Sequence, residues 1–137
     1  VENHKMIVEN SGLLSVAALK QMNIKGKKVV CVLSGGNMDV ITMSSIVQHG
    51  LIQRGRVFTV SVQLPDRPGE LGKVANVIAE MKGNVIRLEH NQFVSINRKA
   101  TVELRITIEA FGHEHKDEIV DKLEAAGLRP RIVKVNI

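Results

Sequence analysis

The chain has 137 residues, 44% hydrophobic and 24% charged, a soluble globular balance with room for one ordinary domain or one small domain plus a piece of another. A single Cys rules out a disulfide framework, and no apolar run approaches the roughly 20 residues of a membrane span. The formal charge of +5 is diffuse: residues 1–56 hold seven Lys/Arg against three Asp/Glu, and residues 57–137 twelve against eleven. With no Trp, no Tyr and no basic stripe, nucleic-acid binding is not expected.

No charged start followed by an apolar run reads as a secretory signal, so a reducing, cytoplasmic setting is the expectation. The chain opens on Val1 rather than Met, as expected of a piece of a longer polypeptide. Glu9–Met22 carries Leu13, Leu14, Val16, Ala17, Ala18 and Leu19 at helical spacing. Lys27–Leu33 (KKVVCVL) is a short continuous apolar run of the kind found in a central strand covered on both faces. Asp39–Gln53 carries Val40, Ile41, Met43, Ile46, Val47, Leu51 and Ile52, again helical, with Asn37 or Asp39 placed to cap its start. One helix-strand-helix cannot close a core, so residues 1–56 read as the tail end of a larger α/β domain.

From residue 57 the grammar changes. Phe58, Val60, Val62 and Leu64 alternate with Thr59, Ser61 and Gln63, as in a half-buried strand. Pro65-Asp66-Arg67-Pro68-Gly69 is a turn, and the helix after it bears Leu71, Val74, Ala75, Val77, Ile78 and Met81 on one side until Lys82-Gly83-Asn84 stops it. Val85–Val94 is the next strand, Asn97–Lys99 a hairpin-like connection, and Thr101–Glu109 the cleanest alternation in the chain. Lys116–Ala126 is an amphipathic helix with Ile119, Val120, Leu123 and Ala126 inward, ended by Gly127, and Arg131–Ile137 is a last strand. The order β-α-β-β-α-β in about 80 residues predicts a ferredoxin-like α+β fold, a four-stranded antiparallel sheet with both helices on one face. Thr, Ser, Gln, Glu and Arg fall on the other face, where Glu103, Arg105 and Glu109 suit a solvated surface rather than a catalytic pair.

Two motifs carry chemistry. Ser34-Gly35-Gly36-Asn37 follows the apolar run directly. Glycines between a strand and a helix let backbone approach a ligand, and equally serve a tight turn. The spacing matches neither GxGxxG nor the Walker phosphate loop, so it supports no dinucleotide or NTP site. The stretch VVCVLSGGNMDV, preceded by ENSGLLSVAALKQ, resembles the C-terminal end of the catalytic domain of threonine dehydratases (threonine ammonia-lyases), fold-type II pyridoxal-phosphate (PLP) enzymes. The resemblance implies that Ser34 hydrogen-bonds the pyridine nitrogen of PLP, with Gly35 and Gly36 beside it, and that residues 1–56 are an α-β-α remnant of that domain. A neutral hydroxyl there leaves the ring a moderate electron sink, which suits β-elimination. The family's Schiff-base lysine motif, S-F/Y-K, does not occur here, and neither does its glycine-rich phosphate cradle. Lys5, Lys20, Lys25, Lys27 and Lys28 read as surface or strand approach. PLP is therefore expected in a full-length parent and not on this chain, which by itself should be inactive.

The second motif is Leu64–Leu71. Exposed amides at a helix start beside Asp66 suit a zwitterion, amides to the carboxylate and Asp66 to the ammonium. The alternative is a rigid turn with Glu70 stabilising the helix dipole. Asp66-Arg67-Pro68-Gly69-Glu70-Leu71 resembles the D-R-P-G-x-L signature of ACT domains, small regulatory modules that bind amino acids, and the likeness covers residues 57–137. It implies an effector site built from Asp66, Gly69, Glu70 and Leu71 with Asn84, completed across a homodimer or higher assembly. The family often has a polar contact where Leu64 stands. Isoleucine and valine are the effectors in view, with a domain that binds nothing as the alternative. A free-standing ACT sensor, or the same portion of a serine dehydratase or serine racemase-like enzyme, are the rival readings.

His113 and His115 suit a helix start in solvent rather than a metal site, and no metal is expected. His90 is read as packing near the interface, and Cys31 as an inert buried thiol.

Overall fold

The computed structural model describes residues 3–93 and 101–135, which fall into two compact units, Val1–Ile46 and Val47–Ile137.

In the first unit a 3-10 turn, Ser11–Leu13, runs into α1 (Leu14–Leu19), and α2 (Val40–Gln53) begins after a long connection. The helix expected over Glu9–Met22 is thus shorter at both ends. Its start is occupied by a close approach: a Cβ on Gly12 would lie 1.6 Å from the Ser34 carbonyl oxygen, so only glycine fits. The strand expected at Lys27–Leu33 forms no ladder. A strand exists through pairing, and this unit offers no second one among the described residues. The expected cover is missing too, with Val30 91% exposed and Val32 73%. Cys31 is half-buried rather than enclosed, its thiol directed at the Ser15 carbonyl at 3.7 Å. Asp39, not Asn37, caps α2: its carboxylate accepts the Thr42 amide at 2.8 Å and the Thr42 hydroxyl. These two bonds, the hydroxyl first, hold the exposed Asp39 carboxyl below its usual pKa.

In the second unit, β1 (Val57–Pro65), α3 (Glu70–Glu80), β2 (Asn84–Phe93), β3 (Thr101–Glu109), α4 (His113–Ala125) and β4 (Arg131–Val133) form one antiparallel sheet in the order β2-β3-β1-β4. Val94, the Asn97–Lys99 connection and the last two residues of the final strand lie outside the described residues, and β4 pairs with β1 only over Arg131–Val133. The alternation read in β1 and β3 puts Val60, Val62 and Leu64 against Leu104, Ile106 and Ile108. Val74 and Ile78 of α3 and Ile119 and Leu123 of α4 cover them, in a core that is aliphatic apart from Phe58. Full burial of each such side chain contributes about 1.5–3 kcal/mol.

Three helix ends share one device. The residue after the cap turns left-handed and the next amide reaches back five residues: Arg56 to Leu51, Gly83 to Ile78, and Leu128 to Leu123. At α2 and α4 the turning residue is Gly55 or Gly127, but at α3 it is Lys82 (φ 59°), with Gly83 one place later. Gly83 serves packing, because a Cβ there would come within 2.9 Å of Ile78 and 3.2 Å of both Ile108 and Ile119. The C-terminus of α2 is tied into this unit by Arg56, whose Nε donates to the Ala110 carbonyl at 3.0 Å, and by His113, whose Nε2 donates to the Gln53 carbonyl at 2.9 Å.

α4 starts at His113, three residues before the expected Lys116. His115 accounts for the difference: its Nδ1 accepts the Phe111 amide at 3.1 Å, its ring stacks on Phe111, and its Nε2–H then points at the carbonyl of Met81, the cap of α3. Each histidine thus donates to a carbonyl at a helix C-terminus.

Candidate functional site

The first constellation lies in the first unit. The Ser34-Gly35-Gly36-Asn37 loop is held against the segment before α1 by a backbone bond, Glu9 N–H to the Gly35 carbonyl at 3.2 Å, and by the Gly12–Ser34 approach. Gly35 has φ 83°, and a Cβ there would meet the Glu9 carboxyl at 2.2 Å, so glycine is required twice over. Glu9 in turn accepts the Ser11 hydroxyl at 2.6 Å. Gly36 has open space where a side chain would stand. A polar cavity of about 300 Å³ opens beside the loop, lined by Glu9, Asn10, Ser11, Asn37, Asp39 and Thr42 among others. Glu9 is the residue that a reading of the SGGN motif alone overlooks. Its signal is the ENSG stretch 25 residues upstream, which only folding brings to Gly35.

The second constellation is the loop from β1 to α3. Arg67 N–H bonds back to the Pro65 carbonyl at 2.9 Å, and Gly69 adopts φ 92° at the helix N-cap with empty space around the position of its missing Cβ. The Leu71 and Gly72 amides, in the first turn, find no backbone acceptor among the described residues. Two amides at the positive end of α3 are therefore left without a backbone acceptor, and the space around Gly69 is open. Asp66 is exposed and interacts with its surroundings. Glu70 behaves as the turn reading expects: it sits in the first turn and its carboxylate takes Lys73 at 2.7 Å. Leu71 is 44% exposed instead of packing inward, and Leu64 is a core residue that points no polar group at the loop.

Asn84 stands elsewhere. In the ladder Asn84 pairs with Glu109, which pairs with Val57 at the start of β1, while Asp66 follows Pro65 at its end. The length of β1, about 26 Å at 3.3 Å per residue, separates them. Asn84 Nδ2 donates instead to Glu109 at 3.2 Å, and Glu109 also meets Arg56 at 3.6 Å. Within one chain the loop and Asn84 cannot touch the same small ligand.

The edge of the sheet beside Asn84 is unusual. A β-bulge at Ile86 puts Val85 and Leu88, three residues apart, opposite Ile108 and Ile106 on the helix side. Val85, Ile86 and Leu88 remain 39%, 54% and 43% exposed. β2 is the end strand, so one row of its backbone groups is unpaired within the chain. Among the described residues no three His, Cys, Asp or Glu side chains are placed to share an ion. Nor is any described helix long and apolar enough to cross a membrane.

A four-stranded antiparallel sheet in the order β2-β3-β1-β4, with two helices on one face and a D-R-P-G turn opening the first of them, is the ferredoxin-like arrangement of small α+β modules. The model of the ACT domain matches residues 58–128, and the chain belongs to that family. Its similarity to known proteins extends beyond the domain. It is 36% identical to an L-threonine ammonia-lyase of Geobacter sulfurreducens over 98% of this chain and 34% of that protein. It is 34% identical to an L-threonine ammonia-lyase of Thermotoga maritima over 97% of this chain and 33% of that protein. A biosynthetic L-threonine dehydratase of Corynebacterium glutamicum is 28% identical over 95% of the chain. The chain spans about a third of the length of these relatives.

Proposed function

We propose that this chain is the C-terminal regulatory portion of a PLP-dependent threonine dehydratase, with residues 1–56 the end of the catalytic domain and residues 57–137 an amino-acid-sensing ACT domain. One observation carries the reading: the similarity to L-threonine ammonia-lyases runs over nearly the whole chain, on both sides of Arg56. A free-standing sensor would need only the second unit. The exposed aliphatic side chains of the first, Val30 and Ile41 foremost, are surface that a larger α/β domain would cover.

The effector site in this reading belongs to two chains. The amides of Leu71 and Gly72 receive the carboxylate, Asp66 the ammonium, and Gly69 keeps the approach open. Asn84 comes from a second copy. If two β2 edges pair antiparallel about Leu88, Asn84 of one copy falls opposite position 92 of the other. That is the end of the sheet where β2, β3 and β1 meet at Phe93, Thr101 and Pro65, next to the Asp66 loop. The same pairing covers Val85 and Leu88 and uses the unpaired backbone row. Isoleucine or valine would then act through a coupling free energy between this site and the catalytic one.

In the parent, bound PLP supplies the electron sink for eliminating the hydroxyl of threonine, giving 2-oxobutanoate and ammonia. The loop fits such a role, since Gly36 leaves backbone open to a planar ring and Ser34 offers a neutral donor to its nitrogen. Titration calorimetry and thermal melts with isoleucine and valine test the effector reading. Saturable binding, a raised Tm and the loss of both in Asp66→Ala are expected. Absence of heat with every proteinogenic amino acid would refute it.

A further inference from the structure

The sheet face turned away from the helices is not simply washed by solvent. Thr59 and Thr107 are cross-strand partners there, each only 5% exposed, with their hydroxyl oxygens 2.9 Å apart. One proton serves that bond, so the other hydroxyl retains a proton for a further acceptor. On the next rung, Arg105 donates from Nη2 to Glu103 at 3.1 Å, but its Nε is buried and meets no hydrogen-bond partner among the described residues. A guanidinium never gives up its proton, so this donor remains unspent. The neighbouring carboxylates are already engaged: Glu103 accepts the Ser61 hydroxyl at 2.6 Å as well as Arg105, and Glu89 is held by Arg87 at 3.0 Å.

These groups surround one cavity of about 160 Å³, lined by Thr59, Glu89, Arg105, Thr107, Val133 and Lys134. Arg105, Lys134 and the two threonines line a space the size of a few heavy atoms, and its single carboxylate is already paired. We propose that this cavity on the open sheet face binds a small oxyanion, as a carboxylate or as inorganic phosphate, between Arg105, Lys134 and the Thr59–Thr107 pair. The ligand accepts from the exposed part of the Arg105 guanidinium and from Lys134 and offsets their positive charge, while Val133 leaves room for a short aliphatic group. The site is separate from the Asp66–Leu71 loop, which lies beyond the end of β1 on the way to α3.

The test is a titration of the 137-residue chain, at ionic strength held constant with chloride, followed by the side-chain Nε–H signals of its arginines. Phosphate, acetate and isoleucine are added in separate arms at up to tens of millimolar. A saturable shift of the Arg105 Nε–H signal, with backbone shifts at Thr59, Thr107 and Val133, is expected. Response to phosphate alone identifies an inorganic ligand, and response to acetate and isoleucine a carboxylate. Asp66→Ala should leave the effect intact, and Arg105→Lys should abolish it. If Arg105→Lys does not fold, Lys134→Gln and Thr107→Val serve instead, each weakening binding about tenfold, the loss expected for one charge-assisted hydrogen bond. Linear, non-saturating shifts in every arm, or unchanged affinity in the folded variants, would overturn the proposal.

Discussion

The two units treat the same kind of residue in opposite ways. In the second unit Val60, Leu104, Ile106 and Ile119 are essentially sealed, whereas in the first Val30 is 91% exposed and Ile41 83%. Both segments are rich in Val, Ile and Leu, so hydrophobicity alone does not distinguish them. What differs is supply. Among the described residues the second unit has four strands and two helices of its own, enough to cover one sheet face, while the first has a 3-10 turn, a short helix, the start of α2 and an apolar segment that joins no ladder. Apolar sequence becomes a core only where the chain also provides the opposite wall.

Truncation tests this contrast most strongly. Ile106→Ala should cost about 2–5 kcal/mol in urea unfolding, because it empties a filled interior. Val30→Ala should change stability by less than about 0.5 kcal/mol, as at an open surface. A large loss at Val30 would mean that the first unit has a core of its own. Next in size is assembly through the β2 edge. Leu88→Glu should convert a dimer into a monomer by light scattering at tens of micromolar while leaving the second unit folded. A wild-type monomer, or a mutant dimer, would break the two-chain effector site.

A smaller effect concerns the open face. The Ser61 hydroxyl, followed by Arg105, holds the Glu103 carboxyl below its ordinary 4.5. A depressed folded-state pKa contributes stability that is present above the unfolded value and lost as pH falls through the folded one. Ser61→Ala should therefore raise the Glu103 pKa, seen in its carboxyl carbon shift, and flatten the fall of stability below about pH 4.5. An unmoved titration would mean that the 2.6 Å bond contributes little. The smallest change is a gain. Lys82→Gly relieves a left-handed non-glycine residue at the end of α3 and should add up to about 1 kcal/mol by thermal melts, bringing that helix end into line with Gly55 and Gly127. A loss would point to a contact made by the Lys82 side chain.

Much of the second unit was legible before folding, because its signals are local. Alternation in Phe58–Leu64 and Val102–Ile108, the 3.6-residue spacing of Val74 and Ile78 or Ile119 and Leu123, and the D-R-P-G turn each depend on neighbours a few residues away. They are sufficient for the ferredoxin-like order and for the turn between β1 and α3. Other features depended on partners far along the chain, and only the tertiary structure settled them. The bulge at Ile86 puts Val85 and Leu88 on one face against simple alternation, since its cause is pairing with β3. Thr59, Ser61 and Thr107 look like surface residues in sequence yet are buried, and their hydroxyl partners, Thr59 with Thr107 and Ser61 with Glu103, meet only across the paired strands. Glu9 reaches Gly35 across the turn of a whole subdomain. Asp66 and Asn84, 18 positions apart, end at opposite ends of the sheet, because a helix and the antiparallel ladder set their separation. Periodicity and turn chemistry are written residue by residue, whereas register and cover exist only once distant segments have met.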